Sequence, residues 1–273
     1  MKNCTKSLFF ILIGTLFFGN FEADQAVSAQ DSSISASIAQ SKKLLLFGIK
    51  GSKDSCLLYP DLTRVKGGGF GALFGLTPEV VERELFEELR SLHVNGMRGY
   101  TGTYPEIIEA WLTNQMSNQD AQRYAVYHIK HNCGFLKKMR VKPAAEIAFS
   151  PYDAANVLSV NHDMVSLAQS CKAKGHTIAI CSSWNREAFL AVKNTHYSAF
   201  APFEAFYISG DCGILACEGH FYDKFLKDYK AQDIYLIDCY QENLVAAHKK
   251  GINTIYCANA RSVEYELRKQ GIL

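Results

Sequence analysis

The chain has 273 residues, of which 48% are hydrophobic and 21% are charged. This balance is typical of a globular protein that can bury a sizeable core. The formal net charge is +2, and the sequence contains neither a basic helix nor an arginine-rich run, which argues against electrostatic binding of nucleic acid.

Residues 1–29 have the pattern of a secretory signal peptide. Two lysines precede an apolar run over residues 8–18, and the small residues 27–29 provide a cleavage point. The run is too short for a comfortable membrane span, so an uncleaved anchor is the weaker alternative. We therefore predict an exported protein, secreted or periplasmic, with no integral membrane segment after cleavage. The serine-rich residues 30–42 are predicted to form a flexible lead-in.

The first strand is predicted within residues 43–52, where a short apolar run ends in a turn that contains Gly48 and Lys50. From residue 56 to about residue 149 the pattern changes to helices that do not alternate with strands. Thr77 and Ser117 are predicted to cap two of these helices, the first of which should end within residues 93–96.

Two further segments combine a strand with a polar end. An amphipathic helix closed by Gly175 leads into an apolar strand that ends at Ser182 and Ser183. A later strand near residue 205 is followed by Ser-Gly, and then by Ala216 and Cys217.

Residues 233–251 carry the most informative pattern. A short, β-favouring apolar run ends at Asp238, and a helix is predicted to start by Glu242 and to stop at Gly251. In an open α/β sheet, ligands bind outside the carboxyl ends of the strands, so Asp238 lies where chemistry is expected. Taken alone, Asp238 is more simply explained as an N-cap or a turn former.

Four of these segments, taken in order, resemble the four motifs of the haloacid dehalogenase-like (HAD) hydrolase superfamily. The resemblance implies an α/β fold, a three-layer α/β/α (Rossmannoid) core with a parallel sheet and an inserted α-helical cap of type one. It assigns residues 43–59 and 155–273 to the core and residues 60–154 to the cap. Cap helices in that family lie over the site and select the substrate.

At several motif positions the sequence lacks the residue on which the family's reaction depends. Gly48 occupies the position of the nucleophilic aspartate, and Lys50 occupies that of the general acid/base aspartate. The lysine of the third motif falls on Ala216, and the second acid of the fourth motif is replaced by Cys239. Asp238 is retained. The family reaction needs a carboxylate nucleophile, so we predict that phosphatase activity by this mechanism is lost.

The predicted function is therefore that of an exported, non-catalytic HAD-like protein. It would bind a partner protein or a small anionic ligand through the former cleft and cap, and no cofactor is expected. The alternative is an active HAD-like hydrolase of phosphate esters that uses residues such as Asp54, Ser182, Asp211 and Asp238 differently, with Mg²⁺ on Asp238. A redox or metal-binding protein built on the cysteines is a third alternative.

Lys50, Ser182 and Ser183 are the candidate anion-binding residues. In the family the hydroxyl at the position of Ser182 holds the phosphate, and a hydroxyl beside a helix N-terminus suits an anion. An equal alternative makes Ser182 the N-cap of a helix that starts near Asn185.

Two pairings are also predicted at the strand ends. Lys50 and Asp238 would lie on neighbouring strands, so we predict an ion pair in which the ammonium replaces the metal. Cys217 and Cys239 would lie on two loops that approach the same centre, so a disulfide or a thiolate metal site is an alternative to two free thiols.

Overall fold

A sheet of five parallel strands forms the centre of the protein. The computed structural model describes residues 42–51, 54–61, 64 and 77–273, and the structural statements below concern those residues. The strands of the sheet are β1 (Leu44–Phe47), β4 (Thr177–Ser182), β5 (Ala205–Ile208), β6 (Ile234–Asp238) and β7 (Asn253–Tyr256), in the spatial order β5-β4-β1-β6-β7. A separate antiparallel pair consists of β2 (Leu58–Pro60) and β3 (Leu158–Val160).

The central strand β1 and its neighbour β6 are buried along their whole length. Continuous apolar runs of this kind are typical of parallel strands that carry helices on both faces. Phe47 stands opposite Ile237 in the register of the two strands. The next residues, Gly48 and Asp238, therefore follow at the same edge of the sheet, which is the edge where ligands bind in open α/β folds.

Helices cover both faces of the sheet and complete three layers. Side chains alternate along β1, so that Leu45 and Phe47 join one apolar cluster and Leu44 and Leu46 join the other. The helices of the core are α6 (His162–Ala173), α7 (Arg186–Thr195), α8 (Tyr197–Phe200), α9 (Ser209–Cys212), α10 (Gln241–His248) and α11 (Ala260–Lys269). The predicted α/β/α core is confirmed.

The chain between β2 and β3 is helical in its described part. Its helices are α1 (Pro78–Leu89), α2 (Glu106–Leu112), α3 (Asn118–Asn132), α4 (Phe135–Ala148) and α5 (Pro151–Asn156). We refer to this set of helices and their loops as the cap. Thr77 and Ser117 are the N-caps of α1 and α3, as predicted. The end of α1 was predicted too late, because Glu106 accepts a hydrogen bond from the backbone N–H of Val94 and thereby holds that segment as a loop.

The described part of the chain forms one compact unit, and the boundaries between core and cap remain predictions. Residues 1–41, with the predicted signal peptide and nearly all of the lead-in, lie outside the described residues. Within the described ranges, no helix is both long enough and apolar enough to cross a membrane.

Candidate functional site

Gly48 and Asp238 lie side by side at the carboxyl ends of β1 and β6. The backbone N–H of Gly48 donates to the carbonyl oxygen of Ile237 at 2.9 Å. A Cβ atom at position 48 would lie 3.0 Å from Cγ and Oδ1 of Asp238 and 3.1 Å from its Oδ2. The carboxyl group of Asp238 therefore fills the space in which a side chain at position 48 would stand.

Asp238 is almost completely buried, with an exposed fraction of 2%. Its Oδ1 accepts a hydrogen bond from the backbone N–H of Tyr240 at 2.9 Å, and its Oδ2 accepts one from Nδ2 of Asn243 at 2.8 Å. Burial raises the pKa of Asp238 to about 6, although these hydrogen bonds favour the ionised form. Both oxygens are thus held by the start of α10.

The predicted ion pair between Lys50 and Asp238 is wrong. Nζ of Lys50 instead lies 2.9 Å from Oε1 of Glu82 on α1, and both side chains are about one-third exposed. Asp238 is satisfied by hydrogen bonds beneath the surface, whereas Glu82 meets the lysine where both charges keep part of their hydration. An ion pair at a partly solvated position carries a smaller desolvation penalty than a buried one.

The two serines after β4 have separate surroundings. Ser182 is the last residue of the strand and is half-buried. The alternative that makes Ser182 an N-cap is wrong, because Asn185 caps α7 and accepts from the backbone N–H groups of Glu187 and Ala188. The hydroxyl of Ser183 accepts a hydrogen bond from the backbone N–H of Ala216 at 2.9 Å. Anion binding by Ser182 and Ser183 stays a prediction.

Ala216 and Cys217 face different parts of the molecule. The side chain of Ala216 is fully buried in the apolar cluster, beside Tyr222, whose hydroxyl donates to the carbonyl oxygen of Ala216 at 2.8 Å. The thiol of Cys217 contacts Oγ1 of Thr103 in the cap at 3.7 Å, whereas the thiol of Cys239 donates to the carbonyl oxygen of Lys50 at 3.4 Å. The disulfide between Cys217 and Cys239 is not formed, and both are free thiols.

The cap reaches the strand ends through Glu82 and through the loop that precedes α2. This loop carries Thr103, the partner of Cys217. The fully buried Glu109 holds the loop, since its carboxylate accepts from the backbone N–H and the hydroxyl of Thr101 at 2.8 and 2.6 Å and from the backbone N–H of Tyr104 at 3.0 Å. The position of the cap over the site is therefore fixed by specific polar contacts.

Solved structures match this chain over most of its length. No protein-family model matches the sequence, and no curated protein matches it. The crystal structure of a dehalogenase aligns with a TM-score of 0.50 at 12% identity, over 80% of this chain and 85% of that chain. A HAD family enzyme from Bacteroides thetaiotaomicron, an aspartate-to-alanine variant in complex with magnesium and inorganic phosphate, aligns with a TM-score of 0.50 at 14% identity, over 79% and 93%. The chain has a HAD-like fold.

The HAD-like fold confirms the prediction made from the order of the four motifs. Identities of 12% and 14% show the fold alone, so the roles of individual residues depend on the geometry of this chain. Asp211 and Asp54 were predicted as residues of the alternative, active hydrolase. Asp211 is exposed and pairs with Arg186 on α7 at 3.3 Å. Asp54 is also exposed.

Cys56 is a residue of the site that sequence reasoning missed. Its thiol, the thiol of Cys239 and a carboxylate oxygen of Asp238 all lie within 4.8 Å of one another. Cys56 is 1% exposed, and its backbone N–H donates to the sulfur of Cys257 at 3.2 Å. The only signal in the sequence was the number of cysteines, because the loop that carries Cys56 has no periodic pattern.

The Mg²⁺ ion that a HAD-like fold implies does not fit these donors. Mg²⁺ requires oxygen ligands in a nearly octahedral arrangement. Gly48 offers no side-chain oxygen, and Cys239 offers sulfur where the family has a second acid. Among the three donors that cluster at these strand ends, Asp238 supplies the carboxylate, and Cys56 and Cys239 supply sulfur.

Proposed function

We propose that this HAD-like protein does not hydrolyse phosphate esters and that its cleft and cap serve to bind a partner or a small anionic ligand. The contact between Gly48 and Asp238 carries the proposal. A carboxylate nucleophile at position 48 would have to share its space with the carboxyl of Asp238, whose atoms lie 3.0 Å from the expected Cβ. Without a nucleophile there, no covalent phosphoryl intermediate can form.

Asp238 is not a substitute nucleophile in this arrangement. Asp238 is 2% exposed, and each oxygen of its carboxyl already accepts a hydrogen bond, one from Tyr240 and the other from Asn243. A nucleophile must approach the substrate within about 3–3.5 Å along an open path. The buried and hydrogen-bonded carboxyl of Asp238 lacks such a path.

The residues at two other motif positions make contacts that do not serve the family reaction. Lys50, at the position of the general acid/base, pairs with Glu82. Ala216, at the position of the cation that faces the phosphate, is buried in the apolar cluster. Loss of the nucleophile alone lowers the rate of an enzyme of this kind by several orders of magnitude, and these changes act in the same direction.

A binding role is supported by the contacts between the cap and the strand ends. Lys50 with Glu82 and Cys217 with Thr103 each join one core residue to one cap residue. Both contacts lie where the cap meets the strand ends, beside Gly48, which offers no nucleophile. Export of the protein, and the anionic nature of the ligand, are part of the proposal.

Phosphate release by the purified full chain tests the loss of catalysis. The protein is incubated with Mg²⁺ and a panel of phosphomonoesters, beside the nearly isosteric variant Asp238→Asn and a commercial phosphatase as a positive control. We expect the release of phosphate by the wild-type protein to equal that by the variant. Turnover that requires Mg²⁺ and that Asp238→Asn abolishes would overturn the proposal.

A further inference from the structure

Three side chains from two separate parts of the core converge beneath the cap contacts. Cys56 follows β1 and precedes β2, whereas Asp238 and Cys239 stand at the end of β6. Their ligand atoms, two sulfurs and one carboxylate oxygen, lie within 4.8 Å of one another. Cys56 and Asp238 are buried and Cys239 is half-buried, so Cys239 is the most accessible of the three.

We propose that Cys56, Asp238 and Cys239 form a binding site for Zn²⁺. The site goes beyond the proposed function, because it adds a cation site beneath the cap contacts and does not depend on whether catalysis is lost. Zn²⁺ accepts thiolate and carboxylate ligands together and is bound tetrahedrally, with Zn–S distances of about 2.3 Å. Ligand atoms around such an ion lie about 3.8 Å apart. The three ligand atoms, which lie within 4.8 Å of one another, are thus already near this separation.

The charge of Asp238 favours a cation over a disulfide. The carboxylate has hydrogen-bond donors, but within the described residues no lysine, arginine or histidine forms an ion pair with it, since Lys50 pairs with Glu82. A buried carboxylate without a cation is costly. A bond between the thiols of Cys56 and Cys239 would leave that charge uncompensated, whereas a divalent ion neutralises it.

The surroundings orient two of the proposed ligands. Nδ2 of Asn243 donates to Oδ2 of Asp238, an outer contact of the kind that orients metal ligands. Cys56 has a backbone φ angle of 56°, a region that residues other than glycine rarely adopt. The hydrogen bond from its backbone N–H to the sulfur of Cys257 holds this conformation. Cys257 therefore acts as a positioning residue for the Cys56 thiol.

The donor set distinguishes the kind of metal. Two sulfurs and one oxygen suit Zn²⁺ and Co²⁺, whereas Mg²⁺ binds oxygen ligands and retains several waters. We therefore expect Zn²⁺ to displace Co²⁺ from the site and a large excess of Mg²⁺ to leave Co²⁺ bound.

Titration of the reduced, metal-free full chain with Co²⁺ tests the site directly. We expect one equivalent of Co²⁺ to produce the ultraviolet charge-transfer band of cobalt–thiolate bonds together with the visible bands of tetrahedral Co²⁺. Cys239→Ser should weaken Zn²⁺ binding at least about tenfold and reduce the charge-transfer band. Cys212→Ser, which changes an exposed cysteine outside the cluster, is the matched control and should bind as the wild-type protein does.

The choice of variant keeps the test informative. Cys56 is buried, so Cys56→Ser changes the packing of the core as well as the ligand, and the decision rests on the half-buried Cys239 and on the wild-type spectrum. A wild-type chain without the cobalt–thiolate band refutes the site, as does a band that Cys239→Ser leaves unchanged. A disulfide between Cys56 and Cys239 in the protein purified without reductant, found by thiol counting and peptide mass spectrometry, also refutes it.

The readouts of the two proposals are separate. Phosphate release with an intact cobalt–thiolate band would contradict the loss of catalysis and leave the metal site standing. Absence of both phosphate release and the cobalt–thiolate band would refute the metal site and would agree with the proposed loss of catalysis.

Discussion

The glycine at position 48 can be tested as a packing feature, independently of any reaction. Its backbone φ lies outside the left-handed region, so alanine is opposed there by the side chain of Asp238 and not by the backbone. The carboxyl of Asp238 is buried and held by two hydrogen bonds, which limits how far it can move away from an added methyl group.

Gly48→Ala is expected to lower the free energy of unfolding by about 1–3 kcal/mol, because the new Cβ would overpack against Asp238. In an Asp238→Ala background, Gly48→Ala should lower the free energy of unfolding by less than half as much. A double-mutant cycle measured by urea unfolding tests this difference. Gly134→Ala, where the added Cβ meets no atom within 4 Å, is the control and should lose less. An equal loss in both backgrounds would show that another group opposes the methyl.

At the scale of single residues, the sequence predicted where residues lie in the fold better than it predicted which side chains they contact. The placement of Gly48 beside Asp238 follows from two apolar runs that form parallel strands in register. The partner of Lys50 does not follow in this way, because it depends on where α1 of the cap brings Glu82. Cys56 was missed for the same reason, since its approach to Cys239 is a tertiary contact made by an irregular loop.

At the scale of elements, the carboxylate of Glu106 holds the start of the connection between α1 and α2. Oε2 of Glu106 accepts from the backbone N–H of Val94 at 2.8 Å, and Oε1 lies 3.0 Å from Nδ1 of His93. The sequence predicted Thr77 as the N-cap of α1 from its residue type. The end of α1 is instead set by this contact with α2, which local preferences do not encode.

The Glu106 contact predicts a pH dependence of stability. The hydrogen bonds from Val94 and then His93 hold the pKa of Glu106 below its ordinary value, so the folded protein binds the proton less tightly than the unfolded chain. The contribution of ionised Glu106 to the stability of the fold is fully present above the ordinary pKa of about 4.3. It is lost as the pH falls through the lower pKa of the folded state.

We therefore expect Glu106→Gln to be less stable than the wild-type protein at pH 7, with a difference that shrinks as the pH falls below about 4.3. Thermal unfolding of both proteins from pH 3 to pH 7 measures this difference. Glu87→Gln, a change of an exposed acid on α1, serves as the control for the general effect of removing one negative charge. A difference that stays constant over the whole range contradicts the role of the ionised carboxylate.

At the scale of the whole molecule, the cap and the core are joined by buried hydrogen bonds. The hydroxyl of Ser209 donates to the carbonyl oxygen of Leu112 at 2.7 Å and accepts from the backbone N–H of Trp184 at 2.8 Å. Nδ2 of Asn185 donates to the carbonyl oxygen of Trp111 at 3.1 Å. The bond from Ser209 to Leu112 and the bond from Asn185 to Trp111 each join the end of α2 to a residue that follows a strand of the core, and opening the cap would break both.

The motif order predicted a core with a helical insertion, and the structure has both. What the motif order could not predict is how firmly the insertion is attached, because the attachment uses single side chains such as Asn185 and Ser209 and has no periodic signal. The described part of the chain is accordingly one compact unit. Cooperative unfolding is the physical consequence.

The two tryptophans report separately on the cap and the core. The chain contains only Trp111, on α2, and Trp184, after β4. In Trp184→Phe the fluorescence follows the cap, and in Trp111→Phe it follows the core. If the buried hydrogen bonds couple the two, each fluorescence transition in urea will coincide with the transition seen by far-ultraviolet circular dichroism in the same variant. The comparison is made within each variant, so any loss of stability from the substitution does not affect it. A transition of Trp111 at a lower urea concentration than the circular dichroism transition would show that the cap opens before the core unfolds.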